Sequence, residues 1–151
     1  MNGKRVLEDL RRAVPGAARR VPTVSEWSVG MHVHHCCLAM IGICKSLNAS
    51  QLPTPPSAFS LVRSVVLFTG RIPRGRGQAP SSALPKPDLP AAELLALMDE
   101  SERMLTEASQ AHPGQWYKHF VFGVLDRDKT FRFIDIHNRH HWRIIQDIVT
   151  A

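Results

Sequence analysis

No stretch of this sequence is long and apolar enough to cross a bilayer. The longest apolar run, Cys36 to Cys44, falls well short of the ~20 residues a spanning helix needs. The opening residues, MNGKRVLEDLRRAV, have no apolar signal core and include Glu8 and Asp9, which argues against a secretion signal or a transit peptide and leads to the expectation of a cytoplasmic protein. Cysteine is scarce. Cys36, Cys37 and Cys44 are odd in number and fall in one expected helix, so structural disulfides are not expected. Cys36 reads either as a small buried core residue or as a reactive thiol. A Gly-rich phosphate loop, a GxSxG elbow and internal repeats are all missing, which removes three common routes to a function.

What is present bounds the protein further. A chain of 151 residues, 44% hydrophobic and 21% charged, is expected to form one domain over residues 1–151 with a core of its own. The net charge of +6 invites a nucleic-acid reading. The basic residues are scattered, however, at Arg11, Arg12, Arg19 and Arg20, at Arg71, Arg74 and Arg76, and at Arg139 and Arg143. No aromatic residues interleave with them as base stacking would require, so nucleic-acid binding is not expected.

Hydrophobic spacing predicts a short helix over Lys4–Val14, stopped by Pro15-Gly16. A second helix runs to about Leu47 and is apolar nearly all round, with either the Thr23–Glu26 capping box or Ser28 at its start. Ala58 to Phe68 is helix or strand. Residues 71–90, rich in proline and glycine, form an ordered surface loop between the second and third long helices, of the length that often covers sites. The third long helix spans Ala91–Ala108, with Leu94, Met98, Leu105 and Ala108 as its core stripe. An aromatic stretch, Trp116–Leu125, then leads to a helix cap at Asp126 and the last helix, Phe131–Val149. An all-α helical bundle is therefore expected.

The last helix carries the chemistry. Phe133, Ile134, Ile144, Ile145 and Ile148 share one side at 3.6 residues per turn, and His137 and His141, four residues apart, project from the middle of that stripe. Two neutral imidazoles in a core need partners for all four ring nitrogens, and a shared divalent metal would supply two of them. His35 lies on the small-residue face of the second helix. Together His35, His137 and His141 would hold zinc or another divalent first-row metal inside a bundle, with a coordination position left open. His140 reads as a pocket-wall residue and His32 lies about one turn before His35. These two are the candidate general bases. His119 reads as structural, with a place facing the site as the alternative.

The W-S-x-G-x-x-x-x-H stretch (Trp27, Ser28, Gly30, His35) and the late H-x-x-H-H helix (His137, His140, His141) resemble the DinB/YfiT-like superfamily of metal-binding bundles. The text F-T-G-R-I-P-R-G, then A-A-E-L-L-A-L-M and H-F-V-F-G, resembles one uncharacterised branch of it, so that the likeness covers Glu26 to Asp147. The resemblance implies an antiparallel four-helix bundle of up-down-down-up course, frequent dimerisation, and a zinc or nickel ion on His35, His137 and His141. It also implies a transferase or isomerase using a low-molecular-weight thiol, or a hydrolase, acting on a small-molecule substrate. Trp142-Arg143-Ile144 follows His141 where many relatives have Arg-Gly-Gln. The alternative is a non-catalytic metal- or ligand-binding bundle. A homodimer is a further expectation, since Trp142 and Val149 face outward.

Overall fold

Val6, Leu7 and Leu10 recur at helical spacing and are buried together. They belong to α1, Gly3–Ala13, which tightens into a 3-10 turn over Val14–Gly16 where Pro15 interrupts the helical hydrogen bonds. The computed structural model describes residues 3–151; Met1 and Asn2, the start of the expected single domain, lie outside the described residues. The chain then crosses close to the start of α2, Val29–Ala49. Val29 N–H donates to the Arg19 carbonyl at 2.9 Å and Gly30 N–H to the Ala17 carbonyl at 2.8 Å. A Cβ on Gly30 would stand 3.0 Å from Ala17 Cβ, so this approach needs glycine.

Ser28 caps α2, its hydroxyl accepting from Met31 N–H at 3.3 Å. The Thr23–Glu26 alternative is not used; Ser25 instead accepts from Trp27 N–H at 3.1 Å. Burial runs nearly all round the first half of α2, whereas Gly42, Lys45 and Ser46 leave one side of its second half exposed, and the helix packs against α1, α4 and α5. The ambiguous segment is helical: α3, Leu61–Thr69, starts at a Ser60 cap and ends at Gly70 in the left-handed region at φ 64. α4, Ala91–Ser109, buries Leu94, Met98, Ser101, Met104 and Ala108. Met104 is buried beside the expected stripe, while Leu105 packs against the core only partly buried.

The all-α expectation needs one correction. Trp116–His119 (β1) and Gly123–Asp126 (β2) pair as an antiparallel hairpin, with Trp116 opposite Asp126 and His119 opposite Gly123. Aromatic and β-branched residues suit this pleat. The His119 imidazole closes the turn, its Nδ1 accepting from Val121 N–H at 3.0 Å and Phe122 N–H at 3.1 Å. Gly123 takes a positive φ of 71. Asp126 then caps α5, Arg127–Thr150, which begins one turn earlier than its apolar spacing indicates.

Mostly helical, with one small two-stranded sheet, the fold gathers Phe133, Ile134, Ile144, Ile145 and Ile148 of α5 into a core with Val33, Met40, Leu94 and Met98. The loop 71–90 is tied down: Arg74 pairs with Asp147 of α5 at 2.6 Å, Lys86 N–H donates to His34 Nδ1 at 3.0 Å, and Ala83 is buried. No helix among the described residues is long and apolar enough to cross a membrane.

Candidate metal centre

α2 carries His35, and α5 carries His137 and His141. The packing of these helices brings the three rings together, with centroids 5.0 Å apart for His35 and His137, 4.6 Å for His35 and His141, and 4.7 Å for His137 and His141. One ring nitrogen from each lies within 4.8 Å of the other two. The tightest pair is His35 Nε2 and His137 Nε2 at 3.0 Å. Two nitrogens on one tetrahedral zinc, each bound at about 2.0–2.1 Å, stand about 3.3 Å apart. This pair is therefore already near one edge of a coordination tetrahedron.

The surroundings decide which nitrogens face inward. His35 Nδ1 lies 2.7 Å from the Ala83 carbonyl. A carbonyl only accepts, so Nδ1 carries the proton and Nε2 of the neutral ring is the lone-pair nitrogen turned toward His137. On the other side, His141 Nδ1 lies 2.9 Å from His32 Nδ1, and His32 Nε2 lies 3.0 Å from Ser25 Oγ. That leaves His141 Nε2 as the atom it can offer.

Burial removes the cationic forms. It is the leading cause in every case: His137 is pulled down to about 3 and His32 to about 4, while His35 falls and His141 lies well below the ordinary histidine value. His35 also repels charge on His137, both repel it on His141, and the Asn138 carboxamide acts in the opposite direction on His137. At neutral pH the three rings are uncharged and carry lone pairs, the state a metal needs. The donor set, three converging imidazoles with no carboxylate or thiolate among them, fits a divalent first-row cation.

Trp27 walls the site. Its ring stacks on His141 at 6.2 Å and 15°, and touches His32 and His35 at 5.3 and 5.1 Å. Neither Trp27 nor Ser25 stands out as a site residue from spacing, because both precede α2 in a segment with no periodicity; Trp27 is marked only as the first residue of the W-S-x-G-x-x-x-x-H stretch. His140 does not join the cluster. Its ring meets His141 edge-on at 5.1 Å and lines a cavity of about 280 Å³ with Arg71, Ile72, Arg74 and Arg143. Burial first, then Arg74, lowers its pKa. His34 lines a separate cavity of about 380 Å³ beside Lys86 and Glu93. His119, stacked on Phe120 and Phe122 and edge-on to Phe133, serves the hairpin.

All three cysteines are buried. Desolvation holds Cys36 well above the ordinary thiol range and raises Cys37 to about 11 and Cys44 to about 12. The chain therefore presents no thiolate of its own near neutral pH, and the reactive-thiol reading of Cys36 finds no support in its surroundings.

The chain belongs to the family described as Protein of unknown function (DUF1569), whose model matches residues 2–148. No curated protein and no solved structure matches it.

Proposed function

We propose that this protein is a metal-dependent enzyme in which His35, His137 and His141 hold one divalent cation, zinc or nickel. It would act on a small electrophilic substrate as a thiol S-transferase or a hydrolase. The observation that carries the reading is the convergence of one nitrogen from each of three neutral imidazoles, 102 residues apart in sequence for the closest pair. When bound, the cation supplies the Lewis acidity that makes a thiol or water nucleophilic near neutral pH.

The chain's own residues do the rest. The Ala83 carbonyl holds His35 in its Nδ1–H tautomer, and His32, braced by Ser25, holds His141 in the same one; Trp27 keeps water from the inner side of the cluster. His140, uncharged at the mouth, is the proton acceptor of this scheme. With Cys36, Cys37 and Cys44 buried and protonated, a nucleophilic thiol has to arrive as a low-molecular-weight cosubstrate. The resemblance to DinB/YfiT-like proteins supports the same scheme. On it, α1, α2, α4 and α5 follow an antiparallel up-down-down-up course, and the protein works as a homodimer in the cytoplasm.

Elemental analysis after dialysis against zinc tests the reading. One cation per chain is expected, lost in His137→Ala. A protein that takes up no zinc or nickel ends the enzyme proposal, whereas uptake without turnover of electrophiles, with or without added thiols, reduces it to a metal-binding bundle.

A further inference from the structure

Immediately outside the cluster lies the cavity of about 280 Å³ bounded by Arg71, Ile72, Arg74, His140 and Arg143. Three guanidiniums and an imidazole line it, with one aliphatic side chain. Their charge is only partly balanced: Arg74 pairs with Asp147 at 2.6 Å, while Arg71 and Arg143 make no ion pair among the described residues. The work is thus divided. Arg74 fastens the loop to α5, and Arg71 and Arg143 keep their donors for something else.

Uncompensated guanidiniums at the rim of a small concavity attract anions and recognise the paired oxygens of carboxylate or phosphate through two parallel hydrogen bonds. The volume, about 280 Å³, lies just below the usual range of small-molecule sites and is far too small for a folded partner. His140 forms the shared wall: one side of its ring lines the cavity, and its edge meets His141 at 5.1 Å. A group held by Arg71 and Arg143 therefore sits one imidazole away from the cluster, which is the separation between an anchoring group and a reacting group within one small molecule.

We propose that this cavity binds the oxyanion, a carboxylate or a phosphate, of the small molecule on which the histidine cluster acts. The assignment of that anion to the substrate rests on the metal-centre reading. Binding to the cavity itself does not.

Isothermal titration of the full-length zinc-loaded protein with inorganic phosphate in one arm and succinate in the other tests it, with zinc content measured for every sample. At least one anion is expected to bind, and the stronger arm identifies the oxyanion. Arg71→Gln and Arg143→Gln are each expected to weaken binding about tenfold or more, with Arg143→Lys recovering part of the loss and higher ionic strength weakening all of them. No heat from either anion overturns the proposal. So does binding that both glutamine variants leave intact, since the anion then sits elsewhere. If the protein takes up no zinc yet binds the anion in an Arg71- and Arg143-dependent way, the cavity stands and the substrate assignment falls with the metal reading.

Discussion

Nδ1 of His32 lies 2.9 Å from Nδ1 of His141, and only one proton fits between them. For His141 to offer a lone pair at Nε2, its own Nδ1–H must donate to His32. The His32 Nε2–H then donates to Ser25 Oγ, 3.0 Å away. This orders three residues into a chain of hydrogen bonds ending at the cluster, and gives His32 a positioning role in place of the general-base role that proximity in sequence suggested.

That role makes a measurable claim. His32→Ala is expected to weaken zinc binding about 10- to 100-fold, the usual cost of losing the partner of a ligating histidine, with His32→Gln recovering part of it. Competition against a chromophoric chelator reads the affinity directly. An unchanged affinity in His32→Ala would show that His141 needs no such support.

Removing a ligand and removing a wall should differ in kind. His137→Ala is expected to abolish stoichiometric zinc, whereas His140→Ala should keep it, because His140 stands outside the converging group. Zinc per chain, measured on both variants with matched circular dichroism, checks the pair. Equal loss in the two would move His140 into the coordination set.

Acid should destabilise the hairpin through His119. Burial pulls this group to about 4 from its ordinary 6.5, so between those values the unfolded chain binds a proton that the folded one refuses. Stability contributed by the neutral ring is whole above pH 6.5, declines as pH falls toward 4, and changes no further below that. The total is roughly 3 kcal/mol. Urea titrations of zinc-free protein across this window should give a shallower pH slope for His119→Gln, by up to about 1.4 kcal/mol per pH unit. Parallel slopes would mean that His119 is already open to solvent.

The thiols should be silent in the native state. Cys36, Cys37 and Cys44 are buried with raised pKa values, so a disulfide reagent at pH 8 is expected to label none of the three within minutes and all of them in denaturant. Rapid native labelling of any of them would reopen the question of a protein-borne nucleophile.

Core substitutions give the scale against which these effects are judged. Ile145 is fully buried in the cluster that joins α5 to α2, and Ile145→Ala is expected to cost about 2–5 kcal/mol by leaving a cavity. Chemical denaturation measures it. A loss under 1 kcal/mol would mean that the α5 face is less tightly packed than its burial implies.

Much of this molecule is legible along the chain, because helical periodicity is a local property. The apolar stripe of α5, the all-round apolarity of α2, the Asp126 cap and the stop at Pro15 each follow from residues within a turn or two. The aromatic run at Trp116 is different. Its pairing depends on a hydrogen-bond register between β1 and β2 and on His119 accepting two amides across the turn, and neither leaves a periodic trace. The i, i+4 pair His137 and His141 is likewise written into one helix.

Only the tertiary structure decided what faces that pair. Which ring of His32, His34 and His35 meets α5 depends on how α2 is rotated against it. The Ala83 carbonyl, Ser25 and Trp27 reach the site from segments without periodicity, and Arg71 is brought beside Arg143 by a loop that the Arg74–Asp147 pair holds in place. Local spacing determines which side of a helix is apolar. The neighbour it meets is settled by packing across the whole chain.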